Sequence, residues 1–237
     1  MREEHITVAR TARYYTLGDA AAARELWVVC HGYGQLAARF LSAFAPLDDG
    51  TRLIAAPEAL SRYYIDATRA PDGSFVSAAD RRVGATWMTR EDREHEIADQ
   101  VGYLDALLER LLAPLDRTTV RVVVLGFSQG VATVCRWVER GRARVDDLVL
   151  WGGAVPGDVD AASLHRRLGD SPVTLVAGTR DELVSGAVVA EQEMRLRDAG
   201  IGVRTVLYDG GHEIVAEELR LVASLAYPTS ETGAREA

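Results

Sequence analysis

Short apolar runs at residues 6–8, 26–30, 53–55, 120–125, 148–151, 173–177 and 203–208 alternate along this chain with longer stretches of helical periodicity. Most of the runs are too short for helices and read as buried strands. The clearest helical pattern opens after Thr89, with Asp92 three residues on in a capping-box arrangement. Ile97, Val101, Leu104, Leu108 and Leu111 then keep helical spacing, and Pro114 marks the stop. Residues 186–199 and 213–225 read as two further helices. This alternation predicts an α/β architecture: a mostly parallel central sheet with helices on both faces. Residues 6–17 are expected to add an N-terminal antiparallel hairpin. In such sheets chemistry gathers beyond the carboxyl ends of the strands, so the residues just after each run carry the functional information.

At 237 residues the chain suits one large domain, expected over 1–227, with a polar tail at 228–237. The connection at 58–88 is long and rich in Arg and Tyr, and 58–90 is read as an insertion forming a lid or pocket wall. The formal net charge of −8 argues against a nucleic-acid partner. No apolar run reaches the roughly 18 residues a membrane span needs. The charged start, Met1-Arg2-Glu3-Glu4-His5, lacks the apolar centre of a secretory signal, so a cytoplasmic location is expected. Cys30 and Cys135 read as small buried hydrophobes, too few for a disulfide framework or a cysteine metal cluster. A homodimer is compatible with the sequence.

The fourth of the seven runs leads straight into Gly126-Phe127-Ser128-Gln129-Gly130, and an amphipathic helix follows. A serine between two glycines at a strand-to-helix junction is the pattern of a nucleophile elbow, which lifts the hydroxyl above the sheet near a helix N-terminus. A serine hydroxyl needs a base, and the base needs an acid to orient it. Among the five histidines, His5 falls in the expected hairpin, His95 in the charged first turns of a helix, and His165 beside Arg166 and Arg167. His31 belongs to the loop after the second run, whereas His212 follows the last run in Tyr208-Asp209-Gly210-Gly211-His212-Glu213. Position selects His212 as the base. Asp181, after the run at 173–177, is the chosen acid; Glu182 and Asp158 are the alternatives. An oxyanion needs two N–H donors. These are assigned to the backbone of Gln129 and, in His31-Gly32-Tyr33-Gly34, to that of Tyr33.

With these residues the chain resembles the carboxylesterase/phospholipase group of α/β hydrolases, which includes acyl-protein thioesterases. The resemblance spans roughly residues 24–225 and rests on His31-Gly32-Tyr33-Gly34, Gly126-Phe127-Ser128-Gln129-Gly130, Gly178-Thr179-Arg180-Asp181, Gly211-His212-Glu213 and the small-residue segment Trp151-Gly152-Gly153-Ala154-Val155-Pro156. The glutamine after the serine is the most telling single position. Three features depart from the family pattern: Gln35 where Asp is frequent, Val131 where a further glycine is common, and a longer 58–88 segment. The resemblance implies a serine hydrolase that cleaves carboxylic esters through an acyl-enzyme, with no metal or organic cofactor. Thioesters and lysophospholipids are further substrate candidates. The expected partner is a small-molecule ester with an apolar acyl group, and Tyr63, Tyr64, Phe75, Trp87 and Met88 are candidates to line its pocket. The competing readings are an acyl-protein or acyl-CoA thioesterase, and a non-catalytic binding protein on the same fold.

Overall fold

The structure is a computed structural model that describes residues 1–69, 72 and 74–226. The expected tail at 228–237 lies outside the described residues. Strands β1 (Tyr14–Leu17), β2 (Glu25–Cys30), β3 (Arg52–Pro57), β6 (Arg121–Phe127), β7 (Asp147–Trp151), β8 (Val173–Gly178) and β9 (Val203–Tyr208) form one sheet. Its order is β1-β3-β2-β6-β7-β8-β9. All neighbours run parallel except β1, which pairs antiparallel with β3, Tyr14 opposite Pro57 and Leu17 opposite Ile54. Two shorter strands, β4 (Ser61–Tyr64) and β5 (Val83–Thr86), make a separate antiparallel ribbon.

Side chains alternate across a strand, so each central strand feeds two cores. On β2, Leu26, Val28 and Cys30 enter the core beneath α2 (Arg93–Leu112), α3 (Gln129–Arg140), α4 (Ala161–Leu168) and α5 (Gly186–Asp198). Trp27 and Val29 enter the opposite core, under α1 (Ala37–Leu41) and α6 (Ala216–Ala226). Strand β6 repeats the division, with Val122 and Val124 on one side and Val123, Leu125 and Phe127 on the other. Cys30 and Cys135 are both buried free thiols inside this packing. Among the described residues no helix is long and apolar enough to cross a membrane.

Three local expectations are corrected. Residues 6–8 form no strand, so the N-terminal antiparallel element is β1 against β3 rather than a hairpin. Ile6 and Val8 are 87% and 72% exposed, and the segment is fastened by polar contacts instead: Arg10 donates to the Leu60 carbonyl and Arg13 to Glu58. Helix α2 starts at Arg93 rather than just after Thr89, and Asp92, at φ +47°, makes no capping bond to the helix. The Glu96 carboxylate reaches back instead to accept from the Thr89 N–H at 2.7 Å. Helix α6 begins at Ala216, after the loop that carries His212.

Candidate active site

Ser128 terminates β6 and caps α3 with φ +54° and ψ −118°, a conformation that costs energy for any residue with a Cβ. Only one other described non-glycine residue, Asp92, has a positive φ. The tightness of the turn explains the flanking glycines. A Cβ on Gly126 would lie 2.6 Å from the Gly130 carbonyl carbon, and one on Gly130 would overlap the carbonyl of Cys30 at the end of β2. The Ser128 N–H is held by the Trp151 carbonyl of β7 at 2.9 Å.

Asp181 follows β8 and His212 follows β9, and the two meet: His212 Nδ1 lies 2.7 Å from Asp181 Oδ2. Asp181 is buried, and its other oxygen accepts from the Leu183 and Val184 N–H groups at 2.8 and 3.0 Å. Burial alone would raise its pKa, but the His212 bond and the two amides outweigh burial and hold it below the ordinary carboxylate value. The carboxylate thus stays charged and fixes the imidazole. The loop carrying His212 is fixed in turn. Tyr208 donates its hydroxyl to the Glu213 carbonyl at 2.6 Å, the Trp151 indole donates to the same oxygen at 2.9 Å, and the Arg180 N–H bonds the Gly210 carbonyl at 2.9 Å.

The Phe127 ring packs on the imidazole with centroids 4.9 Å apart. A Cβ on Gly152 would sit 3.1 Å from His212 Cε1, and one on Gly153 would sit 2.8 Å from the Ser128 carbonyl oxygen. The small residues after β7 therefore let the serine and histidine loops approach one another. Among the described residues His212 Nε2 is buried and has no hydrogen-bond partner, so the Ser128 hydroxyl is not bonded to it.

His31-Gly32-Tyr33-Gly34 lies across the elbow from His212, where a Cβ on Gly32 would be 3.1 Å from Ser128 Cβ. His31 is buried and acts as scaffold: its Nε2 accepts from the Ala59 N–H at 3.1 Å, and Nδ1 donates to the Gly32 carbonyl at 2.8 Å. Burial drives its pKa down, keeping the ring neutral. Gln35 Oε1 accepts from the Gly32 N–H at 2.8 Å, an acceptor role that the family's frequent Asp also offers. Among the described residues the N–H groups of Tyr33 and Gln129 have no partner.

The side chain of Gln129 carries a function that the sequence did not reveal. Its Oε1 accepts from the Trp87 N–H at 3.1 Å, and its Nε2 donates to Thr86 Oγ1 at 2.9 Å and to the Met88 carbonyl at 3.0 Å. One residue therefore clamps the end of β5 to the elbow. Asp158, an alternative acid on sequence grounds, is committed elsewhere. It forms a two-pronged pair with Arg136 at 2.8 and 2.9 Å, which pulls its pKa far down, and it also meets Arg93 and Arg140. Glu182 is exposed and Asp209 pairs with Arg180.

A groove of about 520 Å³ opens beside His212. Leu36, Phe40, Ile65, Val83, Phe127 and Ile214 give it an apolar lining, and Arg39 and Arg82 add charge to it. None of the five residues expected to form a pocket lines this groove. Trp87 is a core side chain whose indole donates to the His31 carbonyl at 2.8 Å, and Phe75 is 73% exposed. Tyr63 packs at a tilt against Tyr33, Tyr64 lies under Arg81, and Met88 Sδ accepts from Arg136. From this ribbon the groove takes instead Ile65, just after β4, and Val83, the first residue of β5.

The parallel sheet, the elbow after its central strand and the paired loops after its last two strands define an α/β-hydrolase fold. The chain belongs to the phospholipase/carboxylesterase family, whose model matches residues 83–227. Solved structures with the same fold include the acyl-protein thioesterase 2 of Zea mays, which is 19% identical with TM-score 0.65, over 91% of this chain and 97% of that one. The carboxylesterase of Bacillus cereus is 15% identical with TM-score 0.63, over 91% and 93% of the two chains. The esterase PE8 is 21% identical with TM-score 0.60, over 91% and 98%. No curated protein sequence matches this chain.

Proposed function

We propose that this protein hydrolyses carboxylic esters through an acyl-enzyme formed on Ser128. The observation that carries the reading is the Asp181–His212 pair, held at 2.7 Å with the far imidazole nitrogen buried and unengaged, and with the strained serine one residue along from the Phe127 ring that packs on the imidazole. His212 Nε2 takes the hydroxyl proton as Ser128 attacks the acyl carbon. The oxyanion is stabilised by the N–H groups of Tyr33 and Gln129. His212 then protonates the departing alcohol, and water repeats the sequence to release the acid. The Ser128–Nε2 hydrogen bond forms as substrate fills the site, since catalytic bonds commonly tighten only in the complex. No metal or cofactor takes part in these steps.

The apolar groove suits a small ester with an apolar acyl group, and residues 58–90 act as its wall through Ile65 and Val83. The Zea mays relative is named an acyl-protein thioesterase, so a thioester belongs among the substrates assayed. Ser128→Ala should lower p-nitrophenyl ester turnover by at least about 10³-fold with an unchanged circular-dichroism spectrum. A fluorophosphonate should label the native chain but not this variant. Unchanged turnover in the folded variant rules the assignment out.

A further inference from the structure

Away from the groove, the N-terminal segment runs past the start of α2 and places two histidines face to face. The rings of His5 and His95 stack with centroids 4.1 Å apart and an interplanar angle of 27°. Asp92 lies against both: its Oδ1 is 2.6 Å from His95 Nδ1 and 3.3 Å from His5 Nε2. Glu3 Oε1 is 3.3 Å from the same nitrogen of His5. Among the described residues this is the one place where three His, Cys, Asp or Glu donors converge within 4.8 Å.

We propose that Glu3, His5, Asp92 and His95 bind one divalent cation of the zinc type, which fastens the N-terminal segment to the head of α2. The donor set is two imidazole nitrogens and two carboxylate oxygens, all of them ligands that zinc accepts in tetrahedral sites. Bonds of about 2.0–2.1 Å to a tetrahedral ion place neighbouring donors roughly 3.3 Å apart. The His5–Asp92 separation already has that value; the stacked imidazoles must turn until both nitrogens aim at one point, and Glu3, 3.3 Å from His5 but outside the three-donor convergence, must swing in as the fourth ligand. Asp92 occupies the helix N-cap position, yet its side chain gives no cap bond to a helix N–H; the carboxylate goes to the imidazoles instead. All three convergent groups are open to solvent, so an ion can enter without unfolding. The remaining histidines offer no rival pair. His31 has both ring nitrogens bonded, His212 is held by Asp181, and His165 Nδ1 is buried without a partner.

The sequence alone hides this site. His5 and His95 are 90 positions apart, and with the N-terminus read as a hairpin the two do not meet. Binding would fasten the otherwise irregular residues 1–13 to a helix far along the chain, and an ion held by the folded state alone stabilises that state.

The test uses untagged, chelator-treated full-length protein titrated with Co²⁺, read by visible d–d absorption, and with Zn²⁺, read by calorimetry. One equivalent should bind each protein molecule, and zinc should raise the melting temperature. His5→Ala and His95→Gln should each weaken binding at least about 10-fold, the scale on which even supporting residues act. The double variant should lose the cobalt spectrum while keeping the wild-type circular dichroism and basal ester turnover. His212→Ala should bind zinc as the wild type does. The proposal is overturned if no saturable binding occurs, if the folded double variant binds like the wild type, or if His212→Ala is the change that abolishes binding.

Discussion

Two buried aspartates stand at opposite ends of the same sheet, and they are treated differently. Asp181, at the carboxyl end, receives three well-formed hydrogen bonds, and its pKa falls despite burial. Asp147, at the start of β7, has only distant partners: Arg121 at 3.5 Å and Arg204 at 3.6 Å. Its Oδ1 and Arg121 Nε have no hydrogen bond, and burial lifts its pKa to about 6 against the pull of Arg204 and Arg121. Asp147 has the cations nearby, and Asp181 has the directed donors. A buried carboxylate is stabilised by hydrogen bonds aimed at it more than by cations nearby. The end of the sheet where we assign catalysis is the end built to hold charge.

Substitutions at the two positions should sharpen this contrast. Asp181→Asn should cut kcat on the order of 10⁴-fold, because the amide no longer fixes the imidazole tautomer. Asp147→Asn should leave kcat unchanged in the same assay. Comparable kinetic losses at both would end the distinction. Gly130→Ala should cost several kcal/mol in urea unfolding, since its methyl meets the Cys30 carbonyl rather than a movable side chain. Gln129→Ala keeps the backbone donor but removes the clamp on β5, and kcat/KM should fall about 10- to 100-fold.

The smallest effect is on stability against pH. The Asp147 pKa is higher in the folded than in the unfolded chain, so its contribution is full below about pH 4. That contribution is lost as pH rises through about 6. Asp147→Asn should flatten this slope in denaturant titrations and stabilise the protein by about 1–2 kcal/mol above pH 6. Asp181, with its lowered pKa, contributes the other way: its stabilisation is present at neutral pH and lost on acidification. Parallel slopes in the two Asn variants would contradict the contrast.

What the sequence made legible follows the same physical divide. Six of the seven apolar runs became strands; in five of them burial on both faces forces a continuous hydrophobic stretch, and the sixth is the half-exposed edge strand β9. Ser128, Asp181 and His212 were visible because each sits just after such a run, next to glycines that a tight backbone requires. Residues 6–8 misled because Ile6-Thr7-Val8, two apolar residues flanking a β-branched one, resembles a strand whether or not a sheet edge awaits it. The ribbon of β4 and β5 was invisible for the opposite reason. Ser61–Tyr64 and Val83–Thr86 are short, mixed in polarity and far apart, and their pairing is expressed only across space. None of the five side chains expected at a pocket is among those lining the groove beside His212, and their spacing in the sequence carries no information on which way they face.

The Gln129 clamp has a consequence for how selectivity can be redesigned in this scaffold. Because the same residue supplies a backbone N–H beside Ser128 and grips positions 86–88, that stretch of wall cannot drift without pulling on the elbow. Variation is cheaper further out, at Ile65, Arg82 and Val83, which line the groove and, among the described residues, make no hydrogen bond to Ser128 or Gln129. Libraries aimed at new acyl groups should leave the anchored stretch intact and diversify the outer one.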